Sequence, residues 1–160
     1  MSIRKSLRRE DGAAAVEFAL IVGVLAMLIF GMLQFGLAFF ELQNLRAATR
    51  EASRVGSVDG QVSDIQTRMQ QLTGIAPTSW GSSLHIEAIT GGSTSQVTGA
   101  TTRPCSPATG TTPDSVRTRV DLSDPTLPPS LQNIFTVDIP LMPPISLRSA
   151  QVYGDFRCES

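Results

Sequence analysis

From Phe18 to Phe40 the chain carries no charged side chain over 23 consecutive positions. A helix needs about 20 predominantly apolar residues to cross a hydrocarbon core about 30 Å thick. The run therefore predicts a membrane-spanning helix. The rival reading is a cleaved secretory signal, whose apolar region is about 7–15 residues long and ends at small residues of Ala-x-Ala type. This run exceeds that length, and no such site follows it. Arg4, Lys5, Arg8 and Arg9 precede it, and short positive flanks stay in the cytoplasm. Arg46, Arg50 and Arg54 weaken that bias but lie further from the membrane edge. The expectation is a single-pass membrane protein with its N-terminus cytoplasmic and residues from about Glu41 onward exported.

The entrance to the run is unusual. Gly12-Ala13-Ala14-Ala15-Val16-Glu17-Phe18 places a glycine and a lone carboxylate between the basic leader and the apolar segment. Translocon scales charge about 2.5–3.5 kcal/mol for an acid at mid-bilayer, and less near the interface. Two readings of Glu17 stand side by side. It is either an interfacial carboxylate that snorkels toward the cytoplasmic headgroups, or a group with a cationic partner inside the membrane. Gly12 likewise reads as a flexible joint or as an accessible backbone site ahead of three alanines. Ala15, Ala19 and Gly23 recur at four-residue spacing, a row that lets another helix approach closely. Gln34 is the one strongly polar side chain in the run, suited to an interhelical hydrogen bond or to interfacial exposure.

The stretch Arg8-Arg9-Glu10-Asp11-Gly12-Ala13-Ala14-Ala15-Val16-Glu17-Phe18-Ala19-Leu20, with Phe30-Gly31-Met32-Leu33-Gln34-Phe35-Gly36 and Ala47-Ala48-Thr49-Arg50-Glu51-Ala52-Ser53-Arg54, resembles the TadE-like pseudopilins of the bacterial tight-adherence (Tad) pilus system. The resemblance covers residues 8–58 and stops there. It implies that a membrane prepilin peptidase cuts after Gly12 and leaves Ala13 as the new N-terminus. Glu17 and Phe18 then become the fifth and sixth mature residues and serve in assembly. Cutting creates an α-amine with a reference pKa near 7.7–8.0 at the bilayer edge. Cation and carboxylate in a low dielectric attract, and each relieves the other's desolvation. The implied partners are the membrane, the prepilin peptidase, other pilin or pseudopilin subunits and the Tad assembly platform.

Beyond Phe40 the helical period continues. Leu42, Leu45, Ala48, Ala52 and Val55 form a narrow apolar stripe, and Gln43, Arg46, Arg50 and Arg54 an opposite polar row. Glu51 and Arg54 are spaced to pair. Asp59-Gly60 reads as a stop. A second helix is predicted from Val62 to Leu72, ended by Gly74 with Pro77 following. Alternation then predicts strands at Leu84–Ile89, Val116–Leu122 and Phe135–Leu141, with a longer one within Ile145–Phe156. Pro143-Pro144 marks a turn, and Pro140 suits an edge strand. The expected fold class is α+β: a long N-terminal transmembrane helix continuing into an amphipathic helix, followed by a small antiparallel β-sheet domain. The expected organisation is a basic cytoplasmic leader at 1–12, the transmembrane helix at 13–40, an amphipathic helical region at 41–75, and a β-rich exported domain at 76–160. A loop rich in Gly, Ser, Thr and Pro fills 91–114 of that domain.

Cys105 and Cys158 are the only cysteines. In a small exported domain they read as one disulfide tying that loop to the last strand, or as two unpaired thiols. No Cys-x-x-Cys redox motif exists. Catalysis finds little support. His85 is the one histidine and is expected on the polar face of a strand beside Glu87. No ligand spacing suits a metal, no glycine-rich loop suits a phosphate, and Gly91-Gly92 reads as a turn. Trp80 and Tyr153 read as packing residues. No cofactor is expected, and a net charge of -1 with scattered basic residues argues against nucleic acid. Two non-enzymatic functions remain. One is a minor pilin-like subunit for assembly of a Tad or type IV-like pilus involved in surface adhesion and biofilm formation. The other is a permanently membrane-anchored periplasmic interaction protein unrelated to filaments.

Overall fold

A computed structural model describes residues 7–106, 111–124, 136–137, 145–146 and 151–159. Helix α1 runs without interruption over Leu7–Ser57. At 1.5 Å per residue its 51 residues span about 76 Å, far more than a bilayer core requires. It is the one helix among the described residues long and apolar enough to cross a membrane. Its two halves meet different surroundings. Val16, Phe18, Leu20, Ile21, Leu25, Leu28 and Phe30 stay exposed, whereas Leu42, Leu45, Ala48, Thr49, Ala52 and Ser53 are buried. The buried set follows the stripe expected beyond Phe40, and Arg46, Arg50 and Arg54 face solvent.

The chain turns at Asp59, where φ is +68°, and Gly60 closes the helix by donating its N–H to Val55 O at 3.1 Å. Helix α2 covers Val62–Thr73. Its entry is fixed from outside: Val62 N–H donates to Thr102 O and Ser63 N–H to Ala100 O, both at 2.9 Å, while Gln61 N–H donates to the Asp64 carboxylate at 2.9 Å. These bonds satisfy amides that a helix start leaves free. Gly74 ends α2 in the left-handed conformation (φ 71°), its N–H donating to Gln70 O at 2.8 Å. Val62, Ile65 and Met69 point inward, and a short 3-10 turn at Pro77–Trp80 buries Trp80 completely.

The strands are β1 (Leu84–Thr90), β2 (Ser93–Gln96), β3 (Ser115–Asp121), β4 (Thr136–Val137), β5 (Ile145–Ser146) and β6 (Gln151–Arg157). Four of them form an antiparallel sheet in the order β2-β1-β3-β6. Strands β4 and β5 pair separately, with Thr136 opposite Ser146 and Val137 opposite Ile145. The period-2 pattern decides the faces. Ile86 lies opposite Thr118, and Thr118 opposite Gly154, so this row and its neighbours Ala88, Val116, Val120 and Val152 turn toward α1 and α2. The resulting architecture is α+β, with an apolar helix leading into a small helix-backed antiparallel sheet.

Three strand expectations change, one of them being Ile145–Phe156, whose described residues give β5 at Ile145–Ser146 in the separate pair and β6 from Gln151 in the main sheet. The 91–114 segment is not loop throughout: β2 forms a hairpin with β1 across Gly91-Gly92, both at positive φ. Its sequence Ser-Thr-Ser-Gln has no apolar member, so alternation could not reveal it. Thr136 and Val137, the described residues of the stretch Phe135–Leu141, pair with β5 and not with the main sheet. The remainder of that stretch, Pro140 and Pro143-Pro144, and leader residues 1–6 lie outside the described residues.

Cys105 and Cys158 are bonded to each other, with Cα atoms 5.5 Å apart and a sequence separation of 53. Cys158 N–H also donates to Asp114 O, and Cys105 is part of the core. The bridge ties the segment after β2 to the end of β6. A closed loop of this length removes about 4 kcal/mol of chain entropy from the unfolded state. Replacing both cysteines by serine is expected to lower the unfolding free energy by about 2–4 kcal/mol. Denaturant melts of the purified chain in detergent measure this.

Candidate processing and assembly segment

Gly12, Ala13, Ala15, Glu17, Phe18, Ala19 and Gly23 all lie on α1 and all are exposed. Helix geometry fixes their relations. Ala13 and Glu17 are four residues apart, so they share a face one turn, about 6 Å, apart along the axis. Phe18 is about 100° further round the helix and 68% exposed, an apolar ring on the flank beside the carboxylate. Ala15, Ala19 and Gly23 follow a shallow row on another side. A Cβ built at Gly12 or at Gly23 meets nothing within 4 Å. No other part of the described chain covers this segment, so its surface is open to lipid, an enzyme or a second helix.

Helix runs through Gly12 rather than ending there. The flexible-joint reading of Gly12 therefore needs correction: the glycine lies within a helical stretch that it weakens by about 1 kcal/mol relative to alanine.

The far end of α1 is built to hold the sheet. Ser53 is fully buried; its hydroxyl donates to Gly154 O at 2.5 Å and accepts the Thr118 backbone N–H at 2.8 Å. One side chain thereby bridges helix, β3 and β6. Gly154 permits the approach: a Cβ there would lie 2.5 Å from Arg50 Cα, 2.6 Å from Arg50 N and 2.8 Å from Thr49 C. Neither residue was singled out from the sequence. The signal for Gly154 was present, since a lone glycine in an alternating strand marks a close backbone approach.

Charges line the rim of this junction. Arg54 binds Glu51 through two bonds of 3.0 Å, and Arg68 of α2 reaches the same carboxylate at 3.1 Å. Arg54 first and Arg68 second hold the Glu51 carboxyl below the ordinary range. On the outward sheet face, Arg117 grips Asp155 at 2.6 and 2.8 Å and stacks over Tyr153 at 5.1 Å from the ring centre. Arg119 pairs with Glu87 at 3.0 Å. His85 lies opposite Arg119 on that same face, beside Glu87 as expected. Among the described residues no group of three His, Cys, Asp or Glu side chains converges to hold a metal.

The comparisons with known proteins bear on the helix. No curated protein and no solved structure matches the chain. Residues 12–54 match the family model described as TadE-like protein. That window opens at Gly12, contains the Glu17-Phe18 pair and the apolar run, and closes in the Ala/Arg stretch that carries the sheet. Over this window, from the glycine to the domain junction, the chain is similar to TadE-like proteins.

Proposed function

We propose that the chain is a pilin-like minor subunit of a Tad pilus, made as a single-pass inner-membrane precursor with its sheet domain outside the cytoplasm. The TadE-like match over residues 12–54 is the observation that carries this reading. The openness of α1 before the sheet domain begins supports it, because a helix that docks on neighbours must be free along that length. In the proposed route a prepilin peptidase cuts after Gly12 and frees the amine of Ala13. Glu17 of one subunit then pairs with the Ala13 amine of the next, while Phe18 and the Ala15, Ala19, Gly23 row pack against the adjoining helix. The small residues allow close approach, and the ion pair sets the axial step. The partners are other pilin or pseudopilin subunits and the assembly platform, and the setting is adhesion and biofilm formation.

Mass measurement and N-terminal sequencing of the protein from its native membrane test the first step. A mature chain beginning at Ala13 is expected, and Gly12→Leu should leave the precursor uncut. An intact Met1, or unchanged processing of Gly12→Leu, would overturn the cleavage site. An intact chain that never enters a filament would instead favour a permanently anchored interaction protein.

A further inference from the structure

From Ala38 onward α1 is covered on one side only. Ala38, Leu42, Leu45, Thr49 and Ala52 are buried. A second row, Met32, Phe35, Phe39, Gln43, Arg46 and Arg50, recurs at spacings of three and four and is exposed throughout. This open face is apolar as far as Phe39 and basic from Arg46. Its guanidinium groups are uncommitted. Arg54, Arg68, Arg103, Arg117 and Arg119 each hold a carboxylate, whereas no acceptor among the described residues pairs with Arg46 or Arg50. Glu51, next to Arg50 in sequence, is already taken by Arg54 and Arg68. Glu41 lies about 140° round the helix from Arg46 and about 180° from Arg50.

We propose that Arg46 and Arg50 bind the phosphates of anionic lipid headgroups at the membrane surface where α1 emerges. Position supports this. The two arginines follow Phe40, the end of the apolar run, by about 9 and 15 Å along the axis, and a headgroup layer is about 5–8 Å thick. Helical side chains lean toward the N-terminus, which here means toward the membrane, and a long arginine stem lies back along apolar surface. The Arg46 guanidinium therefore falls level with the headgroups, and that of Arg50 at their outer margin. The buried stripe faces the other way, so the sheet domain does not stand between this face and the bilayer. Chemistry supports it as well. The planar guanidinium fork accepts two phosphate oxygens at once, and each arginine near an anionic bilayer gains about fivefold in affinity. The inference rests on α1 crossing a membrane and is independent of the pilus reading.

The full chain carrying Phe39→Trp, reconstituted in vesicles of phosphatidylcholine and phosphatidylglycerol, tests the contact. Trp80, the only native tryptophan, is fully buried, so quenching by brominated acyl chains reports the lipid beside position 39. Brominated phosphatidylglycerol is expected to occupy that place about fivefold more readily than brominated phosphatidylcholine. Arg46→Gln should remove most of the preference, Arg50→Gln a smaller part, and the double variant all of it. High salt should weaken it. Both side chains are exposed and unpaired, so melts of the sheet domain should not change. Arg157 supplies the control. It is exposed too, but Glu159 N–H donates to Ser57 O at 3.2 Å, which places Arg157 at the end of the domain away from the span. Arg157→Gln should keep the full preference. Equal quenching by the two lipids, a preference that survives the double variant, or one lost with Arg157→Gln overturns the proposal. Quenching by neither lipid removes the membrane span along with it. Because the native cysteines are bonded to each other, Ala47→Cys carries one free thiol beside the two arginines. Disulfide-linked pairs of that variant in the same vesicles would give the face to a second copy and overturn the proposal.

Discussion

Gly154→Ala is expected to detach or unfold the sheet domain, lowering its unfolding free energy by at least about 3 kcal/mol, the top of the usual overpacking range. The added methyl would meet Arg50 Cα at 2.5 Å, Arg50 N at 2.6 Å and Thr49 C at 2.8 Å, all backbone atoms of α1. A rotamer change cannot relieve that clash; helix and strand must separate. Separation also breaks the Ser53 bridge, stranding the Thr118 N–H and the Gly154 carbonyl in a dry interface, at about 1–3 kcal/mol for each unpaired group. Domains of this size hold about 5–15 kcal/mol in total, so the loss is a large share. Two glycines calibrate the result. At Gly56 a methyl meets the end of a movable side chain, Ile65 Cδ1 at 2.8 Å, and Val116 at 3.3 Å, so Gly56→Ala should cost less. At Gly36 nothing lies within 4 Å, so Gly36→Ala should leave the melt unchanged. Thermal melts of the three variants in detergent rank them. A Gly154→Ala midpoint equal to that of Gly36→Ala would refute the close crossing.

What the sequence disclosed tracks how much of each element's stability is written locally. An apolar run ahead of a 3.6-residue stripe left no alternative to helix, and α1 and α2 follow those patterns closely, including the stop at Asp59-Gly60 and the Gly74 cap. Strands β1 and β3 alternate because one face packs on the helices, so period 2 located them. Strand β2 has four exposed polar residues and is held by pairing to β1, a non-local fact with no periodic trace. The same holds for the diversion of Thr136–Val137 away from the main sheet. Gly12, Glu17 and Phe18 stand out as candidates in the sequence because a charge before an apolar span demands explanation. Ser53 and Gly154 were not paired in advance, since their contact joins positions 101 residues apart. The glycine alone signalled a close approach, and nothing local said to what.

Glu17→Ala should leave insertion and the sheet domain unchanged while filament incorporation falls on the order of 100-fold or more. Removing one partner of a buried pair costs about 3–5 kcal/mol, because the other charge stays unsatisfied, and each 1.4 kcal/mol is tenfold in association. Insertion should not suffer, since deleting an acid near the membrane removes a cost. Folding should not suffer either: Glu17 is exposed and lies 21 residues before Ala38, where the buried stripe is established. Glu17→Gln keeps the shape and one acceptor but loses the charge, so it separates an ionic role from a hydrogen-bonding one. If the proposed pair acts through charge, Glu17→Gln should behave like Glu17→Ala. One competitor is built into the helix: after cutting, Glu17 stands about 6 Å along the axis from its own Ala13 amine. Intramolecular pairing would keep isolated subunits in the bilayer with both charges satisfied, and assembly would then exchange one partner for another at little electrostatic cost. Crosslinking of processed subunits in the membrane, beside counts of surface filaments, distinguishes the cases. Filament counts at the wild-type level for Glu17→Ala, with the leader removed normally, would end the assembly role of this carboxylate.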